Sequence, residues 1–311
     1  MEWDDIAARR LSTRELRMFL AVARSGSMAK AAKTLATSQP AISKAIADME
    51  HNLGVRLLDR SPQGVEPTQY GLALIKCGNA VFDELRQGIK EIEFLADPTV
   101  GELRIGCSEA FAAGPLVPII DRLSRRYPRT AFHVETADAA TLCRELSRRN
   151  VELVIARIFG PFAQESMTAE ILYDDPLVVV ASKANAWTRR HKIELSDLAN
   201  ERWTVLPQDS LSWSLVVDAF RARGLEPPRA RVMTRSLHLR NRLLATGRFL
   251  AVLSQSALRF AGKHPPLKVL PVELPSTRGA TGIITLKNRT LSPLARLFIE
   301  HTRAVATEIA R

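Results

Sequence analysis

The feature that most restricts the fold of this chain is a change of apolar periodicity at Asp97-Pro98. Before it, apolar residues recur every three or four positions, the spacing that lines one face of an α-helix. After it, short apolar runs typical of strands alternate with helical patterns, which indicates α/β lobes with parallel sheets and crossover helices. Proline disfavours helical geometry in the residue before it, so a helix should end here. We therefore place a domain boundary at about residue 99.

Three short helices are predicted between Ser12 and Leu53. Ser12 and Glu15 form a capping-box pattern, Gly26 ends the first helix, and Ser38 is a natural cap for the third. A short turn before a helix that opens in small and polar residues is typical of a helix-turn-helix, whose second helix enters the DNA major groove. A three-helix bundle with a solvated polar face has the same periodicity. The candidate DNA-contacting residues of the third helix are Ser38, Gln39, Pro40, Ala41, Ser43 and Lys44.

A short hairpin is predicted after the third helix, with a turn over residues 61–64. Following a helix-turn-helix, such a hairpin is a wing, and its Arg60 could reach a phosphate or the minor groove. Between Arg9 and Arg60, ten Lys or Arg oppose four Asp or Glu, and the whole chain carries a net charge of +11. This excess favours an anionic partner such as nucleic acid, although a basic surface also keeps a protein soluble.

Together these segments resemble the LysR-type transcriptional regulators. The resemblance is carried by Ala31–Lys44, Leu53–Arg60 and Pro67–Gly71, and it is dense over residues 11–75. It implies a winged helix-turn-helix, a long linker helix that dimerises, a two-lobed α/β effector domain similar to periplasmic binding proteins, and usually a homotetramer. Tyr70 departs from the pattern, since many members carry a small residue there, and this should alter only the packing at the start of the linker helix.

The function implied by the resemblance is sequence-specific regulation of transcription under the control of a small-molecule effector. Its expected partners are double-stranded DNA with a pseudo-palindromic promoter site, RNA polymerase, and further copies of the same chain. The expected domains are residues 1–67 for DNA binding, 68–99 for the linker and hinge, and 100–311 for the effector. In the effector domain, we expect lobe I at about 100–165 and 270–311 and lobe II at about 166–269.

The linker helix is predicted to begin after Thr68 and to reach about Leu95. Its apolar residues recur every seven positions and form an apolar seam, which is buried only when another helix packs against it. The seam is predicted to form the dimer interface, and Gly78 on it allows either a close approach or a local bend. A helix that packs on its own chain is the alternative, because three heptads is the shortest run that indicates a coiled coil. The predicted interface residues are Ile75, Phe82, Leu85, Ile89 and Ile92.

Open parallel sheets bind ligands beyond the carboxyl ends of their strands, and three predicted strand–helix junctions lie there. Helix N-termini bind anions, and residues 100–311 carry most of the excess positive charge, so the expected effector is an anionic molecule such as an organic acid. Ser108 and Ser236 could equally serve as helix caps. The candidate effector-binding residues are Cys107, Ser108, Glu109, Gln208 and Ser236.

The sequence lacks glycine-rich nucleotide motifs, the HExxH motif, paired CxxC motifs and the hydrolase elbow, so we expect no enzyme, no metal and no cofactor. Three widely spaced cysteines indicate free thiols in a reducing compartment, and a second hypothesis for Cys107 is a redox sensor. The acidic N-terminus and the absence of a long apolar run suggest a cytoplasmic protein. The rival hypotheses are a solute-binding protein, which the helix-turn-helix disfavours, and an architectural DNA-binding protein, which the large α/β part disfavours.

Overall fold

The computed structural model describes residues 11–61, 64–158, 165–208, 210–259, 267–275, 277 and 279–310. The predictions that concern the acidic N-terminus, Arg9 and the Pro62-Gln63 turn lie outside these residues. The chain divides into two compact units, residues 1–89 and residues 90–311. The division falls inside one long helix, within the segment that the sequence assigns to the linker.

The first unit begins with the three predicted helices, α1 (Thr13–Ser25), α2 (Met28–Thr34) and α3 (Gln39–Leu53). Each starts at a serine whose hydroxyl accepts a backbone N–H of the first turn, which satisfies a donor that the helix itself leaves free. Gly26 ends α1 in the left-handed conformation that glycine adopts without steric cost. The helix-turn-helix is therefore confirmed. The side chains at the centre of its core are Phe19, Ile42, Ile46 and Met49, all fully buried.

The predicted wing is an antiparallel hairpin of β1 (Leu58–Ser61) and β2 (Gly64–Pro67). Two sets of hydrogen bonds fix it to the helices. The Val65 N–H donates to the Gly26 carbonyl at 3.0 Å. Glu50 on α3 accepts from the N–H groups of Leu57 at 2.7 Å and Leu58 at 3.1 Å. Because one carboxylate joins α3 to the start of the wing, the two elements hold a fixed relative position.

The linker helix is α4 (Gln69–Ala96), and Thr68 caps it by accepting the Gly71 N–H at 3.1 Å. One face of its first half packs on the helix-turn-helix core, and Ile75 and Phe82 lie on that face. A Cβ added at Gly78 would lie 2.8 Å from Leu16, so this glycine permits close packing within the subunit. Ile75, Gly78 and Phe82, which the sequence assigns to the dimer seam, therefore contact their own chain, as in the alternative that the sequence left open. Ile75 and Phe82 are only half-buried there, and their contact with a second copy stays a prediction.

A second group of apolar side chains, from the middle of α4 to its end, remains exposed. It consists of large aliphatic side chains spaced three or four residues apart, so they lie along one side of the helix. We call it the linker stripe, and it comprises Val81, Leu85, Ile89, Ile92 and Leu95. Three of the predicted interface residues belong to it.

The second unit contains two lobes, each with a five-stranded sheet. In lobe I the strand order is β4-β3-β5-β12-β6. Its strands are β3 (Val100–Cys107), β4 (Arg129–Thr136), β5 (Leu153–Ile158), β6 (Met167–Asp174) and β12 (Ala280–Leu286). Its helices are α5 (Glu109–Ala112), α6 (Leu116–Arg126), α7 (Ala139–Ser147) and α11 (Pro293–Ala310).

Lobe II has the strand order β11-β7-β10-β8-β9. Trp203 and Phe220 are fully buried at its centre and meet edge to face, with ring centroids 6.1 Å apart. Its strands are β7 (Leu177–Ser182), β8 (Trp203–Val205), β9 (Ala230–Met233), β10 (Leu250–Ser254) and β11 (Leu267–Val269). Its helices are α8 (Leu211–Arg221), α9 (Leu237–Ala245) and α10 (Gln255–Arg259).

The sheets differ from the prediction in two respects. They are mixed, because β12 runs antiparallel to both neighbours in lobe I and β7 does so in lobe II. Strand β6 was not predicted, and it pairs with β12 in lobe I. The chain therefore passes into lobe II between Asp174 and Leu177, so the expected start of lobe II at residue 166 is too early. Glu170 and Arg303 hold β6 to α11 through two hydrogen bonds of 2.7 and 2.8 Å.

Candidate DNA-binding face and effector cavity

The start of α3 presents the residues that the sequence assigns to DNA contact. The Ser38 hydroxyl accepts the Ala41 N–H at 3.3 Å and so serves as the helix cap. Gln39, Pro40 and Lys44 are exposed, and Ala41 and Ser43 are half-buried. Since the buried stripe of α3 faces the core, these side chains lie on the outer side of the helix.

Further basic side chains are distributed over the helices and the wing of this unit. Those named below are exposed, and none of them forms an ion pair within the described part of the first unit. A cation without a protein partner keeps its full charge for an anionic surface. They are Arg14, Arg17, Lys30, Lys33, Lys44, Arg56 and, on the wing, Arg60.

A cavity of about 320 Å³ lies between the lobes of the second unit. It opens where chain segments follow β3 and β8, which agrees with the expected position beyond strand ends. The walls are largely apolar, with Phe111, Leu177, Leu211, Trp213, Val216 and Leu237 among the lining residues. The charged lining residues are Glu109, Asp138 and Arg157 from lobe I, Asp175 at the crossover, and Arg235 and Arg240 from lobe II.

Arg240 is the most unusual residue of the cavity. It is 7% exposed, and no hydrogen bond or ion pair to its guanidinium is found within the described residues. Burial lowers its pKa to about 10, so the group stays charged at neutral pH. A buried charge without a partner is costly, and a positive charge facing a cavity is stabilised by an anion placed there.

A polar network lies at the crossover between the lobes. The carboxylate of Asp175, which is buried, accepts from Ser256 N at 2.9 Å and from its hydroxyl at 2.7 Å. Arg157 on β5 donates to the Thr277 carbonyl at 2.6 Å, and burial lowers its pKa although the charge of Asp175 opposes that effect. Burial also raises the pKa of Tyr173 to about 12, so its phenol remains a proton donor.

The structure separates the predicted effector residues into two groups. Ser108 and Glu109 line the cavity. Cys107 is fully buried in the core of lobe I, and burial raises the pKa of its thiol to about 12. A thiol so protonated is a poor nucleophile, so neither an effector contact nor a redox role is supported.

Gln208 and Ser236 lie outside the cavity lining, although their neighbours in sequence contribute to it. Gln208 is exposed beside a separate shallow groove. The Ser236 hydroxyl accepts the Leu239 N–H at 3.2 Å, and the Ser108 hydroxyl accepts that of Phe111 at 3.3 Å. Both serines therefore cap helices, which is the alternative that the sequence left open.

The cavity also contains residues that the sequence prediction missed, above all Arg157, Asp175 and Arg240. A signal for Arg240 was present. It lies on the same face of α9 as Leu237 and Leu244, at the spacing of a buried helical stripe, where a charge is out of place. Arg157 likewise interrupts an otherwise apolar strand.

Within the described residues, no group of three metal-ligating side chains comes together. Over the same residues, no helix is both long and apolar enough to span a bilayer.

A helix-turn-helix with an exposed second helix, a wing and a two-lobed domain around a ligand-sized cavity define an effector-responsive DNA-binding regulator. Residues 13–72 match the helix-turn-helix of the bacterial regulatory proteins of the lysR family, and residues 96–307 match the LysR substrate binding domain. This chain belongs to the LysR family of transcriptional regulators.

Relatives and solved structures agree with this assignment. The transcriptional regulator GbpR of Azospirillum brasilense is 28% identical over 300 residues, which cover 96% of this chain and 87% of GbpR. A full-length OxyR variant from Pseudomonas aeruginosa has a similar fold, with a TM-score of 0.66, 21% identity and coverage of 95% of this chain and 94% of that one. Full-length CbnR complexed with its target DNA gives a TM-score of 0.53 at 23% identity and covers 95% of this chain and 100% of CbnR.

Proposed function

We propose that this regulator reads DNA through Gln39, Ser43 and Lys44 at the start of α3, with Arg60 contacting the backbone. The observation that supports this is the exposed start of α3, in a unit whose exposed cations have no ion-pair partner among the described residues. Glutamine can form two hydrogen bonds to an adenine edge, and lysine can reach guanine or a phosphate. The solved complex of CbnR with DNA makes duplex DNA the natural partner.

The test compares Gln39→Ala with Gln69→Ala, an exposed glutamine of the same unit outside α3. Gln39→Ala should weaken binding to the specific site by about 1–3 kcal/mol and binding to random DNA much less. Lys44→Ala and Arg60→Ala should reduce the salt dependence of binding, with Lys76→Ala as the control. Equal losses on both DNAs would exclude Gln39 as a base-reading residue, and an unchanged salt slope would exclude the two cations as phosphate contacts.

The effector of this proposal is a small organic anion with an apolar body. Its anionic group pairs with Arg240, whose buried guanidinium forms no hydrogen bond or ion pair within the described residues, and its body packs on the apolar walls beside Trp213. Arg157 and Ser108 line the facing lobe and provide further donors. Binding then favours one arrangement of the lobes, and regulation requires this preference, because equal affinity for two arrangements shifts nothing.

The test is a panel of organic acids, each beside its neutral amide, scored by melting temperature on the full-length protein. An acid at a hundred times its dissociation constant stabilises the domain by about 2.7 kcal/mol, and its amide should not. Arg240→Gln should abolish the response, whereas Arg242→Gln, an exposed arginine on the same helix, should retain it. Amides as effective as acids, or an unaltered response in Arg240→Gln, would contradict the proposal.

We further propose that the linker stripe pairs with that of a second copy. Two-fold symmetry then demands a pseudo-palindromic site whose half-sites are separated by whole helical turns of about 10 bp. Membership of the family suggests that two dimers assemble into a tetramer, that the complex acts on RNA polymerase, and that it works in the cytoplasm, where the bacterial chromosome is accessible.

A further inference from the structure

The cavity contains a carboxylate of its own at the start of α9. Glu109, the first residue of α5 in lobe I, accepts the backbone N–H of Leu237 in lobe II through a long hydrogen bond of 3.4 Å. Leu237 begins α9, where a helix leaves N–H groups without internal partners. The side chain of Glu109 thus crosses the cavity from one lobe to the other.

The place that Glu109 occupies has the features of an anion subsite. A nine-residue helix directs the positive end of its dipole there, and Arg240 lies in its first turn. Burial lowers the pKa of Arg240, and the negative charge of Glu109 lies close enough to raise it in part. No oxygen of Glu109 lies within ion-pair distance of the guanidinium, since the described residues show no such pair for Arg240. The arginine is therefore only partly neutralised and can accept a closer anion.

We propose that Glu109 is a tethered competitor, which holds the anion subsite of lobe II until the anionic group of the effector displaces it. This inference rests on the proposed function, because it assumes that the effector binds at Arg240. Two carboxylates cannot share one helix N-terminus and one guanidinium without repulsion, so binding of the effector and contact by Glu109 exclude each other.

Displacement has a structural consequence. The hydrogen bond from Leu237 to Glu109 joins the two lobes, so an effector that replaces it removes one contact between the lobes and substitutes its own. A ligand changes an equilibrium only through its different affinities for the two states, and this exchange supplies such a difference. Because a tethered group acts at an effective concentration in the millimolar range, Glu109 also sets the effector concentration needed for a response.

The test uses acetate. Glu109→Ala removes the CH₂ and the carboxylate of the side chain, and acetate has the same structure as this missing group. In the full-length variant, acetate should bind at least tenfold more tightly than in the wild-type protein, measured by calorimetry, and neutral acetamide should bind to neither. Glu135→Ala, which removes an exposed glutamate outside the cavity lining, should behave as the wild type. Glu109→Gln keeps the volume of the side chain and loses its charge, so it provides a second variant if the alanine variant folds poorly. We expect it, too, to bind acetate more tightly than the wild type.

The outcomes separate this inference from the proposed function. Equal affinity of wild type and both Glu109 variants for acetate would overturn the tethered competitor, and loss of that binding in Arg240→Gln would still leave the effector proposal intact. Tight binding that survives in the double variant Glu109→Ala, Arg240→Gln would place the anion elsewhere and overturn both. Absence of acetate binding in every variant would likewise overturn both, since the emptied subsite should accept the missing group.

Discussion

The linker stripe leads to a prediction that separates two groups of apolar residues on one helix. Leu85 is 53% exposed, Ile92 68% and Leu95 77%, although leucine and isoleucine are stabilised by burial. Burying a whole side chain of this kind contributes about 1.5–3 kcal/mol, so covering the exposed part contributes about 1–2 kcal/mol for each residue. Leu85→Glu removes this contribution in both copies, a loss of about 2–4 kcal/mol before the cost of burying a carboxylate is added.

The dissociation constant of the pair should therefore rise about 30- to 1000-fold. Because Leu85 is exposed in the single subunit, the variant should fold as the wild type does. Phe82→Ala is the matched control one turn earlier on the same helix, where the side chain packs against its own helix-turn-helix. It should lower the stability of the first unit by about 2–3 kcal/mol and leave the assembly unchanged at temperatures where the unit is folded.

Sedimentation equilibrium of the full-length variants measures the assembly, and gel shifts with a two-half-site DNA measure its effect on binding. If Leu85→Glu sediments as the wild type while Phe82→Ala dissociates, the assignment of Leu85 to the interface and of Phe82 to its own subunit is wrong. If both sediment as the wild type, the interface lies outside α4.

Three further predictions concern stability. Ala36 has a left-handed φ of +49° after α2, so Ala36→Gly should raise the free energy of unfolding by up to about 1 kcal/mol in urea titrations; a loss would show that the strain is offset locally. Gly71→Ala would place a Cβ against the Leu57 carbonyl and should lower the free energy of unfolding by at least about 2 kcal/mol. Gly88 has open space around it, so Gly88→Ala should raise the free energy of unfolding by up to about 1 kcal/mol. Equal effects of the two variants would contradict the packing at Gly71. The hydrogen bonds from Arg303 lower the pKa of Glu170, so its contribution is complete above the ordinary pKa of 4.5 and is lost as the pH falls through the lowered value. The urea midpoints of the wild type and Glu170→Gln should thus differ at neutral pH and converge in acid, and a constant difference would exclude the ion pair as the cause.

Local signals in the sequence predict the DNA-binding unit well. The caps at Ser12 and Ser38, the glycine that ends α1 and the buried stripe of α3 depend on neighbours only a few residues away, and these interactions form in the structure as the spacing indicates. The heptad of α4 is different, because periodicity identifies apolar positions but not what covers them. Phe82 and Leu85 lie only three residues apart, and yet the first packs on its own chain and the second is exposed.

The effector cavity was less predictable because distant parts of the chain meet there. The predicted segment around Ser108 lines the cavity, but Arg157, Asp175 and Arg240 reach it only through the arrangement of both lobes. Strand β6 was not predicted because its sequence lacks a strand signal. It is an edge strand, and its irregular pattern of burial lacks the two-residue alternation that identifies a half-buried strand.

The order of the strands in lobe I has a consequence for synthesis of the protein. The strands and core of lobe II come from one stretch of the chain, Leu177 to Leu274, whereas the sheet of lobe I needs β12, which lies between β5 and β6 and is translated after all of lobe II. On the ribosome, lobe II can complete its core while lobe I still presents two unpaired strand edges to solvent, and such edges promote aggregation. A nascent chain that stops before residue 280 is therefore a vulnerable intermediate, with the later lobe folded ahead of the earlier one.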